Sequence, residues 1–236
     1  MRKLFIASLA LIPIFFSCEK SSKLTVAPEE IILYSEGSTK ITTNASSPTF
    51  TVADDFYASV EADGTVKAKK VGETTIRVSG NGETTSVPVT IMSMYSLYPD
   101  LDKIVGKNKS AVSSLLGSGY TTGTDSWVYK NYNSYTDGIV VTFENERVSS
   151  VGAIVSTSYT SMMSKYLLER YSLVGMQNDM YFFLNHDKNA SVVFSVYNVS
   201  YLMAVYVPYT DSKAGGEFSI PTEVSEALNE LGISQE

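Results

Sequence analysis

The side chains able to do chemistry are few and scattered along the chain. There is one histidine and one cysteine. His186 stands in Asn185-His186-Asp187-Lys188-Asn189, a composition that marks the turn of a hairpin between two strands. Nucleophilic catalysis would need that imidazole buried beside a hydroxyl and oriented by a carboxylate, and a sequence-adjacent Asp187 does not supply the geometry. The sequence has no Gly-x-Ser-x-Gly elbow, no His pair at helical spacing and no loop of alternating Asp or Asn closed by Glu. Gly117-Ser118-Gly119-Tyr120 lacks both the spacing and the Lys of a phosphate-cradling loop. Asp54-Asp55 and Asp211 read as solvated loop acids. Asp100, Asp102, Glu144 and Glu146 would serve glycoside hydrolysis only if folding brought two of them close together. The expectation is a protein that is not an enzyme, with no catalytic residues, no metal site and no cofactor.

Contact chemistry is better represented. Tyr129, Tyr132 and Tyr135 lie in Tyr129-Lys-Asn-Tyr132-Asn-Ser-Tyr135-Thr-Asp-Gly138, where Tyr alternates with small polar residues. Such a loop suits binding to a protein or a glycan, because Tyr offers a large amphipathic surface at low entropic cost. The competing reading folds these rings back on the sheet. Tyr95, Tyr98 and Tyr120 form a second group, read as packing around an inter-domain linker. The formal net charge of −7 argues against a nucleic-acid partner or a polybasic membrane patch.

The cysteine is Cys18. It follows Met1-Arg2-Lys3, an apolar run from Leu4 to Phe16, and Ser17. The run is shorter than the ~20 residues a bilayer span needs, and the charged start with a short apolar region is a leader pattern. It resembles a bacterial lipoprotein signal peptide, which implies cleavage before Cys18, lipidation (palmitate included) of that residue, and attachment to the outer membrane or cell surface. Phe15 and Phe16 depart from the usual residues there. The alternatives are an ordinary secretory signal and an uncleaved anchor. With residues 1–17 removed and Cys18 lipidated, no thiol remains for disulfides, so the fold must rest on its core. Residues 18–23 then form a short polar tether.

From Leu24 to Met92 the chain alternates in short runs between turn signals. Ile31–Tyr34, Phe50–Val52, Ala58–Val60, Thr65–Ala68, Thr74–Val78 and Val87–Ile91 read as strands, with Asp63-Gly64 and Asn81-Gly82 as tight turns. Pro88 within the last run suggests an edge strand. Residues Ala58-Ser-Val60-Glu-Ala-Asp63-Gly64-Thr-Val66-Lys-Ala68 and Val71-Gly72-Glu-Thr-Thr-Ile76 resemble the group 2 bacterial Ig-like domain. That resemblance implies a β-sandwich over 24–92 serving as a spacer or adhesion module. The family's Trp before the Ala-x-Val strand is missing, and Phe50 or Phe56 takes its place.

Residues 93–210 change period. Leu101–Val105 and Lys109–Leu116 have helical spacing, capped by Asn108 or Ser110 and stopped by Gly117, and three strands follow. A second helix over Thr160–Tyr171 gathers Met163, Tyr166, Leu167 and Tyr171, and three strands follow again. The fold class expected is therefore mainly β with an α+β part, a sandwich and then two helix–three-strand repeats laid against one sheet. Leu115-Leu116-Gly117, Trp127-Val-Tyr129, Val140-Val-Thr-Phe143 and Arg147-Val148 resemble the small outer-membrane lipoproteins that assist barrel assembly. The tandem resembles β-lactamase-inhibitor-protein-like domains. Both imply a surface presented to another protein. A polar tail, 211–236, carries a short amphipathic helix with Val224, Ala227, Leu228 and Leu231 on one face. The function expected is a lipid-anchored envelope protein with a non-catalytic binding or adhesion role, its partners a membrane through the lipid and an envelope protein or glycan. The alternative is a periplasmic inhibitor or assembly factor.

Overall fold

A computed structural model describes residues 22–209 and Val224. The leader, Cys18, Asp211 and the tail helix apart from Val224 lie outside the described residues.

The first region is a two-sheet sandwich. Its strands are β1 (Val26–Ala27), β2 (Ile31–Tyr34), β3 (Ser38–Lys40), β4 (Thr42–Thr43), β5 (Thr49–Val52), β6 (Ala58–Val60), β7 (Thr65–Ala68), β8 (Gly72–Gly80) and β9 (Glu83–Met92). One sheet has the order β2-β9-β8-β5, the other β3-β7-β6, and β1 pairs with β4. Period-two alternation puts Ile76, Val78, Val87, Val89 and Ile91 inward from one sheet and Ala58 and Val66 from the other, closing an aliphatic core. Gly64 turns at φ +86°, and a Cβ there would collide with the carbonyl oxygen of Ile41. Asn81 and Gly82 both take positive φ in the hairpin between β8 and β9. Phe50 packs on this core, whereas Phe56 does not.

Pro88 does not mark an edge. β9 is interior, flanked by β2 and β8. The proline is tolerated because β2 begins to pair only at Val89, so β9 has no neighbour on that side at Pro88.

The second region opens with a 3-10 turn, Leu101–Ile104, and helix α1 (Lys109–Leu116). Asn108 caps α1, its side chain accepting from the Ala111 amide at 3.0 Å, and Gly117 ends it. Then come β10 (Thr121–Thr122), β11 (Ser126–Lys130), β12 (Thr136–Glu144) and β13 (Arg147–Ser156). Helix α2 (Thr160–Leu168) leads into β14 (Ser172–Gln177), β15 (Met180–Leu184), β16 (Ala190–Val196) and β17 (Tyr201–Pro208). α2 stops three residues short of Tyr171, after which the chain turns directly into β14.

The eight strands form one antiparallel sheet in the order β10-β11-β12-β13-β17-β16-β15-β14. Each helix is thus followed by a four-strand meander, one strand more than the sequence reading has. The last strands of the two meanders pair with each other, Ala153 opposite Ala204. In connectivity the halves are related by a two-fold between β13 and β17, with β10 and β14 as equivalent edges. The missed strands are a two-residue Thr pair and a segment lacking alternation, neither of which carries a period-two signal. Both helices lie on one sheet face, where Met163, Tyr166 and Leu167 join the principal core. On the other face Val128, Val140, Ile154, Met203 and Val205 pack with Val224, whose Cγ1 lies 3.2 Å from where a Gly152 Cβ would sit.

Candidate binding surface

The three tyrosines expected to bind a partner do not share one surface. Tyr129 is only 3% exposed. It sits within β11 on the helix-side face, and its hydroxyl donates to the Gly117 carbonyl at 3.0 Å. Burial pushes that hydroxyl up to about 12. Tyr129 is a core residue, because the strand extends through it before the loop begins. Tyr132 is half-buried and packs edge-on to Tyr129 at 6.2 Å. Tyr135 alone stays at the surface, 40% exposed and edge-on to Tyr159.

The loop between β11 and β12 is held rather than free. Asn133 accepts from the Tyr135 and Thr136 amides at 2.8 and 2.9 Å, an Asx-type turn. Its amide group donates to the Leu97 carbonyl at 2.7 Å, and Thr136 donates to the same oxygen at 2.9 Å. This ties the loop to the segment joining the two regions. Between them lies an open cleft of about 420 Å³, lined by Met94, Tyr95, Asn133, Tyr135 and, from α2, Met162.

The cleft borders an exposed apolar strip on the sandwich. Ile32 and Tyr34 project outward from β2, Tyr34 opposite Met92 on β9, and all three are exposed, as is Met94 two residues further along. Scattered exposed apolar side chains are ordinary, whereas a strip of four beside a cleft is a contiguous apolar patch. No sequence signal isolates it. Ile32 and Tyr34 belong to an apolar run whose inward and outward members look alike.

The two regions meet through a polar weld. Glu169, at the end of α2, is 5% exposed. Its carboxylate accepts from the Ser35 hydroxyl at 2.7 Å and from the Met94 and Tyr95 amides at 3.0 and 3.2 Å. The Arg170 guanidinium closes the set through a short contact to the same carboxylate. The Glu169 carbonyl accepts from the Val71 amide at 2.7 Å, and Lys70 donates to the Leu168 carbonyl. Arg170 also donates to Asp100 at 2.8 Å and lies 4.0 Å over the Tyr166 ring. Burial acts to raise the Asp100 carboxyl, but hydrogen bonds from Lys103 and Arg170 outweigh it and hold it below its ordinary value.

A second seam forms at the turn carrying His186. Its Nε2 lies 2.7 Å from Asp54 of the sandwich and its Nδ1 lies 3.0 Å from Asp187. The ring packs against Phe56 and Tyr57 at 4.8 and 5.1 Å. An imidazolium can donate to both carboxylates, whereas a neutral ring has a single donor. Asp54 is thus a bonding partner rather than a free loop acid.

Two further acids, Asp102 and Glu146, are engaged as well. Asp102 accepts from the Tyr171 hydroxyl at 2.9 Å and from Asn185 at 3.2 Å, and Glu146 pairs with Lys109 at 3.0 Å. Among the described residues no group of three or more His, Cys, Asp or Glu is placed to hold a metal ion. Of the second tyrosine group, Tyr98 is buried, Tyr120 stacks on Trp127 at 3.8 Å, and Tyr95 lines the cleft.

No protein-family model matches the chain, and the curated proteins give no match. Among solved structures the chain is similar to an intimin mutant from EHEC O157:H7, with 12% identity over 70% of this chain and 86% of that one, at a TM-score of 0.26. It is also similar to domains 5–6 of the S-layer protein SbsC, with 12% identity over 83% of this chain and 86% of that one, at 0.27. A longer piece of SbsC, domains 4–9, gives 12% identity over 82% of this chain and 28% of that one, again at 0.27. At these scores the alignments carry no argument about function, and the mainly β architecture rests on the strands and sheets described above.

Proposed function

We propose that this is a lipid-anchored, non-catalytic binding protein of the bacterial cell envelope, in which the sandwich is a stiff spacer and the cleft at the junction receives a partner. The observation that carries the reading is the path of the chain. At its start the Leu24 amide donates to the Glu83 carboxylate at 2.8 Å, beside the β8–β9 hairpin. β9 then runs from Glu83 to Met92 and delivers the chain to the other pole, a distance of about 30 Å at strand rise. The Glu169 weld fixes the second region at that pole. A tether at one end and a partner surface at the other is the arrangement a surface receptor needs, and the Ile32–Tyr34–Met92–Met94 strip beside the Tyr135 cleft supplies the apolar core of an interface. Envelope protein and glycan both suit a cleft edged by Tyr and Asn.

The second reading, an inhibitor or assembly factor in the periplasm, draws on the paired helix-and-meander halves, which join into one broad sheet. Three measurements test these readings. Metabolic labelling with a fatty-acid analogue should tag the wild type and not Cys18→Ala. A photo-crosslinking residue at Met94 or Tyr135 in intact cells should give a discrete adduct that the same residue at Gly82, near the tethered pole, does not. Adducts at both positions alike would sink the cleft as the site. Digestion by protease added outside the cell would favour the surface location, and protection the periplasmic one.

A further inference from the structure

The two ends of the eight-stranded sheet, equivalent in connectivity, are finished differently. At one end β10 is two exposed threonines, Thr121 and Thr122, too short to template another strand. At the other end β14 has six residues, Ser172-Leu-Val-Gly-Met-Gln177, with no Lys, Glu, Asp or Pro among them. Its far edge pairs with no strand among the described residues. Monomeric proteins protect such an edge with charge, proline, brevity or a bulge, and of these β14 has only a bulge, at Val174.

The side chains on β14 are apolar and open to solvent. Leu173, Val174 and Met176 are 49%, 57% and 64% exposed, and a Cβ on Gly175 would meet nothing within 4 Å. Leu173 pairs with the buried Phe183 and Met176 with Tyr181, so both project to the helix-side face. Tyr181 in turn pairs with Phe194, also of the principal core. Among the described residues the core therefore runs out to the sheet edge without a strand or helix over it. A bulge at Val174 places two β14 residues, Val174 and Gly175, against Phe182 on the opposite face.

We propose that β14 is a self-association strand, through which two copies of this chain pair antiparallel and join their eight-stranded sheets into one. The strand is complementary to itself about a two-fold between Val174 and Gly175. Leu173 then faces the partner's Met176 on the helix side, Val174 fits over the partner's Gly175 on the other side, and Ser172 meets the partner's Gln177. Large opposes small, apolar opposes apolar, polar opposes polar, and the faces agree in every pair. An isologous interface brings each charge near its own copy, and in a chain of net charge −7 this uncharged strip is where two copies can approach. The equivalent strand β10 offers no such pairing, so association stops at two rather than growing into a filament.

The test uses the full chain carrying Cys18→Ser, so that an introduced thiol is the only one. Leu173→Cys and Met176→Cys are made separately, with different tags, then mixed and mildly oxidised. The mixed pair should form disulfide-linked dimers at least about five-fold more than either variant alone, because only opposed positions bring Cα atoms within bonding range. In parallel, sedimentation should show the mass doubling with concentration and Val174→Lys remaining monomeric. A single strand pair is a small interface, so the series should extend to about 500 µM. A chain monomeric throughout that range overturns the proposal. So does a dimer whose disulfides form equally in matched and mismatched mixtures, since it would use another face. The cysteine arm leaves the strand's shape intact and decides the matter even if Val174→Lys misfolds.

Discussion

The sandwich and the eight-stranded region solve the problem of a dry interior in different ways. In the sandwich the buried side chains are aliphatic, Ile, Val and Ala, and the strands alone define where they go. In the second region the core carries tyrosines: Tyr98, Tyr166, Tyr171 and Tyr206 are all nearly or fully buried. Their hydroxyls are bonded to one another and to the structure around them. Tyr98 and Tyr206 share a hydrogen bond at 3.1 Å, Tyr166 donates to the Tyr98 carbonyl at 3.1 Å, and Tyr171 donates to Asp102. The lesson is that abundant tyrosine here is architecture first. A ring wide enough to fill the gap between sheet and helix brings a hydroxyl with it, and each buried hydroxyl must find a partner.

The largest expected effect comes from breaking the joint between these two regions. Glu169→Ala leaves Ser35, Met94 and Tyr95 without their acceptor and takes one carboxylate from the buried Arg170 guanidinium. Removing one member of a buried pair typically costs about 3–5 kcal/mol. Glu169→Gln keeps the volume but points an NH2 group at donors, so it should be nearly as damaging. Calorimetry should show one cooperative transition in the wild type resolving into two in the variants, the sandwich and the tyrosine-rich region melting separately. A single transition at unchanged temperature would mean that the weld contributes little.

A second effect separates the regions by pH. Burial raises Tyr98, Tyr166, Tyr171 and Tyr206 above the ordinary tyrosine value of 10.0. Below that value both folded and unfolded chains are neutral at these groups, and the contribution to stability is fully present. Above it the unfolded chain ionises while the folded one resists, so stability falls as the pH climbs toward the raised folded values. The eight-stranded region should unfold steeply in alkali, followed by tyrosinate absorbance and near-UV circular dichroism. The sandwich, whose buried core lacks tyrosine, should persist. Tyr206→Phe should flatten the slope. Alkaline loss of both regions together would show that the joint, not the core, sets the response.

How much of this was legible in the sequence follows from the same contrast. The sandwich strands and their turns are written in period-two alternation and in Asp63-Gly64 and Asn81-Gly82, and the structure agrees with them closely. Helix α1 is flagged by Asn108 and Gly117. The site is another matter. Tyr129, Tyr132 and Tyr135 look equivalent in a polar stretch, and only the end of β11 and the grip of Asn133 on Leu97 decide which ring is buried. Glu169 looks like an ordinary exposed charge beside Arg170 at a helix end. Its burial depends on Ser35 and Met94, far away along the chain, and no local pattern reports a partner at that separation. β14 escaped for a related reason: its bulge and its exposure on both faces remove the alternation by which strands are recognised.

The smallest expected effect sharpens the comparison at acid pH. Asp100 belongs to the second region alone, bound to Arg170 at 2.8 Å and to Lys103 at 2.9 Å. Its folded value is depressed below the ordinary 3.8. The stability it supplies is therefore present in full above that ordinary value and is lost as the pH falls through the lower folded one. Asp100→Asn should weaken the second region modestly near neutrality, since Arg170 keeps Glu169 and the Tyr166 ring, and should remove part of that region's acid sensitivity. The measurement is the urea midpoint of each region followed from about pH 5 to about pH 2. In the wild type the second region's midpoint should drop faster than in Asp100→Asn, so that the two curves converge at the acid end. Curves that stay parallel would mean that Lys103 and Arg170 hold Asp100 too loosely to couple its proton to folding. The acid response would then belong to carboxylates elsewhere in the chain.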